Sequence, residues 1–227
     1  MVKTKKKAGD KIYPILALFL IILISIFFVN IEKFFPGIKI ELSSPIDNQV
    51  NVNYARLDMG TNPNALIDII VFSDFQCPVC ARAVPVIEQV KSVYGDKVNI
   101  MFKHFPMSYH PDAKKAAEAA ECAREQGAFW EMHNMLFVNS NRLSDANMIG
   151  YARELGLNAD SFKLCLNSGI KSVIVRQDYI EGMDTGIKGT PSFIINGKLM
   201  MGLLPFDAFA GIIEVELANL EMLNSTI

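Results

Sequence analysis

Residues 66–80 read Leu66-Ile67-Asp68-Ile69-Ile70-Val71-Phe72-Ser73-Asp74-Phe75-Gln76-Cys77-Pro78-Val79-Cys80. The apolar, β-branched run 66–73 predicts a strand buried on both faces. Asp74-Phe75-Gln76 predicts a turn, and 78–94 a helix that Gly95-Asp96 ends. Cys77 then stands at a helix N-terminus, where unpaired N–H groups and the positive end of the helix dipole stabilise a thiolate. Two intervening residues put both sulfurs on one helical turn, close enough to bond. Pro78 suits a first turn because it has no N–H to satisfy, and Pro78 and Val79, between the two cysteines, are expected to tune the pair. Cys77 is expected to be the exposed nucleophile and Cys80 the more buried partner that closes or opens the internal disulfide. The competing readings of C-x-x-C are a zinc knuckle and an inert disulfide. Zinc needs a second knuckle, and Cys122 and Cys165 lie 43 residues apart with no such spacing.

Compartment can be read independently of the cysteines. No charged residue occurs from Ile12 to Ile31, and about twenty helical residues span about 30 Å, the depth of a bilayer's hydrocarbon core. Tyr13 sits near one end as an aromatic anchor would. The run is longer than a signal peptide's apolar core, and 27–32 offers no small-residue cleavage site. The reading is therefore a signal anchor over 12–31 rather than a cleaved leader. Lys3, Lys5, Lys6, Lys7 and Lys11 place the 1–11 tail in the cytoplasm. The rest is expected outside the cell membrane, where thiols stay oxidised. Beyond residue 33 the chain carries 16 basic and 22 acidic residues. An acidic body with no basic stripe excludes nucleic acid as a natural partner.

Residues 32–63 read as a linker rich in turn residues, with short β-like pieces at 38–42 and 50–52. A folded domain is expected over 64–223. After a second strand at 98–105 the pattern turns helical, over 112–126, 129–138, 144–155, 159–166 and 171–184, with Gly127 and Gly156 as stops and Ser144 as an N-cap. Strand character returns at 192–195, and Asn196-Gly197 predicts a tight hairpin into 199–202. A last helix covers about 206–223. The order is β-α-β, a helical insert over about 111–185, then β-β-α: an α/β fold. Val79, Val86, Val90 and Val93 are placed on the apolar side of the first helix, and Pro85 should kink it. The Lys/Glu pattern of 112–125 reads as a solvated face. Phe129, Trp130, Met132, Met135 and Phe137 read as core. His110-Pro111 reads as a helix start, and His104 and His133 as structural.

Five stretches in this order carry a resemblance: FSDFQCPVC (72–80), HFP (104–106), 110–137, GTPSFIINGK (189–198) and GLLPFDAF (202–209). Over roughly 64–223 the chain resembles the DsbA-like branch of the thioredoxin superfamily. The resemblance implies a thioredoxin fold with an α-helical insert, here behind one transmembrane helix. It implies a cis-proline beside the cysteine pair, matched by Pro191, with Thr190 before it holding the substrate backbone. It further implies exported protein thiols as substrates, no small-molecule cofactor, no metal, and reoxidation by a membrane protein of DsbB-like or VKOR-like type. One position departs from the superfamily pattern. Many relatives carry a buried acid six residues before the first cysteine, and here that residue is Val71. Asp74, on the turn, reads as solvated or helix-capping. The pair also lacks the His that the most oxidising relatives place before the second cysteine.

Cys122 and Cys165 fall in helices of the insert, among Ala116, Ala119, Ala120 and Ala123 and between Leu164 and Leu166. Both are expected to face inward. In an oxidising compartment they could staple two helices; as a pair of free core thiols they would simply fill space. The leading expectation is oxidation of substrate dithiols through Cys77 and Cys80. A reductase or isomerase of the same fold, and a non-enzymatic chaperone or scaffold, are the alternatives.

Overall fold

A computed structural model of the chain describes residue 62 and residues 64–224. The expected anchor, and the linker with its two β-like pieces, lie outside the described residues. Among the described residues no helix is long and apolar enough to cross a membrane.

The centre is a four-stranded sheet in the order β2-β1-β3-β4, formed by β1 (Ile67–Ser73), β2 (Val98–His104), β3 (Ser192–Ile195) and β4 (Lys198–Met201). β1 runs parallel to β2, from Ile67 opposite Val98 to Ser73 opposite His104. It runs antiparallel to β3, from Ile69 opposite Ile195 to Phe72 opposite Ser192. β3 and β4 form the expected hairpin. Asn196 and Gly197 both take positive φ, 45° and 82°, as a turn matching the strand twist requires. Asn196 Oδ1 also accepts from the Asp68 N–H at 2.9 Å, tying the turn to β1.

Every residue of β1 except Asp68 is buried, and its side chains alternate between two cores. Ile67, Ile69 and Val71 face helix α1 (Pro78–Tyr94) and the C-terminal helix α7 (Phe206–Asn224), meeting Ala83, Val90, Phe209 and Ile213. Ile70 and Phe72 face the other way, toward Phe105, Ile187 and Tyr179. On α1 the buried stripe follows helical spacing through Ala83, Ile87, Val90 and Tyr94. Val93 falls outside that stripe and is 60% exposed, which corrects its placement on the apolar side.

Between β2 and β3 stand five helices: α2 (Ala113–Arg124), α3 (Phe129–Val138), α4 (Asp145–Glu154), α5 (Ala159–Ser168) and α6 (Ser172–Asp184). Ser144 caps α4 by accepting from the Asn147 N–H. α2 is the hub, packed against α3, α4, α5 and α6. Its alanines let neighbours close on every side, and Glu118 and Glu121 are buried with them. Of the solvated face expected from the Lys/Glu pattern only Lys114 and Glu125 are exposed, and 116–123 are buried throughout. Lys115 meets Glu118 at 3.3 Å, while Glu121 is held by Arg124 and by His104 from β2, both at 2.8 Å. Trp130 and Met135, expected in the core, lie only partly buried at its edge.

Candidate active site

The strand–turn–helix that carries the cysteines forms as its sequence requires. β1 ends at Ser73, the turn follows, and Cys77 takes an extended N-cap conformation with Pro78 in the first turn of α1. Asp74 organises the turn. Its Oδ1 accepts from the Gln76 N–H at 2.7 Å; its Oδ2 accepts from the Met107 N–H and from His110 Nδ1, both at 2.8 Å. Gln76 extends the tie by accepting the Asp112 N–H at 2.9 Å. Asp74 is 2% exposed, so it is neither solvated nor a helix cap. It clamps the cysteine turn to the loop after β2, because that loop supplies the donors a buried carboxylate needs. His110 accordingly serves Asp74 rather than opening a helix, and α2 starts at Ala113.

The Thr190–Pro191 peptide is cis and lies against the cysteine pair. Cys77, as a thiol, donates to the Thr190 carbonyl at 3.6 Å. The segment is pinned by Ser192 Oγ donating to the Gly189 carbonyl at 2.7 Å and by the Gly202 N–H donating to the Pro191 carbonyl at 2.8 Å. Pro191 is thus held at the sheet's end, beside Cys77. Pro78 is exposed and Val79 is partly buried against the helical core. Cys77 itself is 6% exposed against 1% for Cys80. The order is as expected, but Cys77 is not an exposed side chain. The Thr190 segment covers it, and it belongs to the same buried cluster as Phe75.

The two thiols are electrostatically unlike. Cys77 is held at about 5, first by a hydrogen bond from the Cys80 thiol, against the opposing cost of burial, then by the Cys80 N–H, Thr190 and the Val79 N–H. Burial pushes the Cys80 thiol well above its ordinary range, and its bond to Cys77 adds to that. A stabilised thiolate beside a buried, protonated partner is the arrangement that thiol–disulfide exchange uses: one sulfur attacks or leaves, the other waits. Both cysteines are free. Cys122 and Cys165 are joined in a disulfide between α2 and α5 with Cα atoms 5.8 Å apart, which removes both from any zinc set. Cys165 is only half-buried and Leu164 is 73% exposed, so the inward placement holds for Cys122 and only partly for Cys165.

Sequence reading missed most of the polar frame around the pair. Asp74–His110, Gln76–Asp112 and His104–Glu121 join residues 36, 36 and 17 apart, and no local pattern encodes such pairings. It also left unread an aromatic cluster beneath the turn. Phe75 stacks on Phe102 at 5.3 Å and meets Phe137 at 4.9 Å and His133 at 5.7 Å.

A family model described as Thioredoxin matches residues 58–215. The chain belongs to the thioredoxin family. Among solved structures, this thioredoxin-family chain is similar to BdbD from Bacillus subtilis (TM-score 0.63, 20% identity, 69% of this chain and 90% of that one). It is also similar to the thiol-disulfide exchange protein alpha-DsbA2 from Wolbachia pipientis (TM-score 0.60, 18% identity, 67% and 82%). At these identities the likeness is one of fold, and the fold is the DsbA-like form with its helical insert. Curated relatives include Na(+)/H(+) antiporter NhaA 1 from Salinispora arenicola, 32% identical over 77% of this chain and 27% of that protein. NhaA 3 from Salinispora tropica is 33% identical, again over 77% and 27%. The chain spans about a quarter of the length of these relatives.

Proposed function

We propose that the protein exchanges disulfides with exported proteins, chiefly by oxidising substrate dithiols. One observation carries the direction: Cys77 is a far better leaving group than Cys80. A pair whose reduced form is stabilised by a low thiol pKa gives up its disulfide readily, and is oxidising. In the forward reaction a substrate thiolate attacks Cys77 in the Cys77–Cys80 disulfide, and Cys80 leaves. The second substrate thiolate then attacks its own mixed-disulfide sulfur. The substrate departs oxidised, and Cys77 leaves as the stable thiolate. Thr190 and Pro191 bind the substrate backbone beside Cys77, and Pro78 and Val79 set the pair's potential. The 12–31 segment anchors the catalytic domain of 64–223 on the extracytoplasmic side, supported by the five lysines before it. A membrane reoxidase of DsbB-like or VKOR-like type restores the disulfide.

The test uses the oxidised full-length protein and a reduced, unfolded dithiol protein, following loss of the substrate's thiols. Cys77→Ser abolishes the loss, and Cys80→Ser, mixed instead with the substrate in its disulfide form, accumulates a mixed disulfide as Cys77 attacks that disulfide and a substrate thiolate leaves. Undiminished oxidation by Cys77→Ser would leave the scaffold reading in its place.

A further inference from the structure

Each time Cys80 attacks or leaves, a proton must leave it or return, and the thiol is buried away from bulk water. Behind Cys80 lies a cavity of about 20 Å³, room for a single water molecule. Val71 and Phe102 line it with apolar surface, and besides Cys80 four residues with polar side-chain groups line it: Ser73, Glu88, Trp130 and His133. Ser73, 4% exposed, reaches it from the end of β1. His133 comes from α3, 5% exposed, its ring edge-on to Phe102 at 5.0 Å and Trp130 at 5.1 Å. Its Nδ1 donates to Asn134 Oδ1 at 2.8 Å, which leaves Nε2 as the acceptor nitrogen of a neutral ring.

We propose that His133 relays the Cys80 proton through a water in this cavity, a proposal that rests on the exchange reading above. Its role is to position and hold that proton; it touches no substrate. In the mixed-disulfide state the Cys80 S–H proton passes to the water, and a water proton passes to His133 Nε2. The Cys80 thiolate attacks Cys77 Sγ. The Cys77–Cys80 bond forms as the bond from Cys77 to the substrate sulfur breaks, and the substrate leaves as a thiolate with the electron pair. Cys80 is oxidised, the substrate sulfur is reduced, and the imidazolium returns its proton to solvent. In the opposite direction the same path delivers a proton to departing Cys80. Burial lowers His133 to about 4, opposed by its bond to Asn134 and reinforced by His104, so the ring holds the proton only in passing. The titratable groups facing it are His104 on β2, bound to Glu121, and Glu88 on α1, exposed at the cavity's rim.

The experiment is a stopped-flow reaction of the reduced full-length protein with dithionitrobenzoate. One chromophore is released when Cys77 is modified, and a second when Cys80 closes the internal disulfide. In His133→Gln the ratio of second-phase to first-phase rate falls at least about tenfold near neutral pH, and recovers as rising pH lets hydroxide replace the relay. An unchanged ratio in a folded His133→Gln protein overturns the proposal. So does a loss in Glu88→Gln without one in His133→Gln. Absence of any first phase in the unaltered protein sinks the exchange reading instead, and this proposal with it. Should His133→Gln fail to fold, long-range nitrogen–proton NMR of the unaltered protein decides. A neutral ring protonated at Nδ1 whose Nε2 resonance shifts between the mixed-disulfide and oxidised states supports the relay; a ring protonated at Nε2 in every state overturns it.

Discussion

At Cys77 a helix start and a neighbouring thiol act on one sulfur, and the result has a definite pH signature. Its folded pKa, about 5, lies below the ordinary 9.0. The reduced fold therefore gains stability that is complete above pH 9 and is lost as pH falls through about 5. The oxidised form lacks this thiolate. Urea melts of both forms should show the reduced protein gaining on the oxidised one between about pH 5 and pH 9; a gap constant over that window would contradict the assignment. Alkylation of the reduced protein by iodoacetamide should likewise rise with a midpoint near pH 5 and vanish in Cys77→Ser. Glu121 behaves differently because its partners are structural. Burial would raise its carboxyl, but His104 and then Arg124 outweigh it and hold the group at about 2. Glu121→Ala leaves His104 buried beside an empty site and should cost about 3–5 kcal/mol in a denaturant melt. Cys77 and Cys80 were legible in the sequence because their spacing at a helix start marks them, and Pro191 was placed by the resemblance of 189–198 to the family. The burial of Asp74 was not, because its donors Met107 and His110 lie 33 and 36 residues away.

Among the elements, α6 shows how closely a helix must seat on the sheet. A Cβ at Gly182 would lie 2.6 Å from the Phe105 ring and 3.0 Å from that of Phe72. Phe105 has little room to yield, since it is 1% exposed and stacked on Tyr179 at 4.6 Å. Gly182→Ala should therefore destabilise the protein by about 1–3 kcal/mol, read as a lowered denaturation midpoint. A midpoint equal to the parent's would show that α6 can slide. The α2–α5 disulfide closes a long loop, and replacing both Cys122 and Cys165 by Ala should cost about 2–4 kcal/mol while leaving the alkylation midpoint of Cys77 in place. Element positions were readable to within a residue or two, since glycine stops, the Ser144 cap and the Asn196-Gly197 turn are local features. The surroundings of α2 were not readable. A helix with lysines and glutamates looks solvated until four others pack around it, and nothing within 112–125 announces them.

Across the whole molecule, two buried groups make acid the direction of weakness. His133 stays neutral in the fold down to about 4 against an ordinary 6.5, and Glu121 stays ionised down to about 2 against 4.5. In both windows the unfolded chain binds the extra proton, so stability falls as pH drops, from about 6.5 for the first and from about 4.5 for the second. Thermal melts between pH 7 and pH 3 should show that decline, and a melting point flat over the range would contradict both assignments. The β-α-β, helices, β-β-α order was legible, and with it the fold class. The sheet order was not, because pairing β1 with β3 brings together residues more than a hundred positions apart. The proposed oxidising direction joins the scales, since it rests on the contrast between a stabilised Cys77 thiolate and a buried Cys80 thiol. The reduction potential of that pair in the full-length protein, equilibrated against glutathione, tests this most directly. A value closer to about −120 mV, that of a strong oxidant, than to about −270 mV, that of a reductant, is the predicted result; a value near about −270 mV would contradict it.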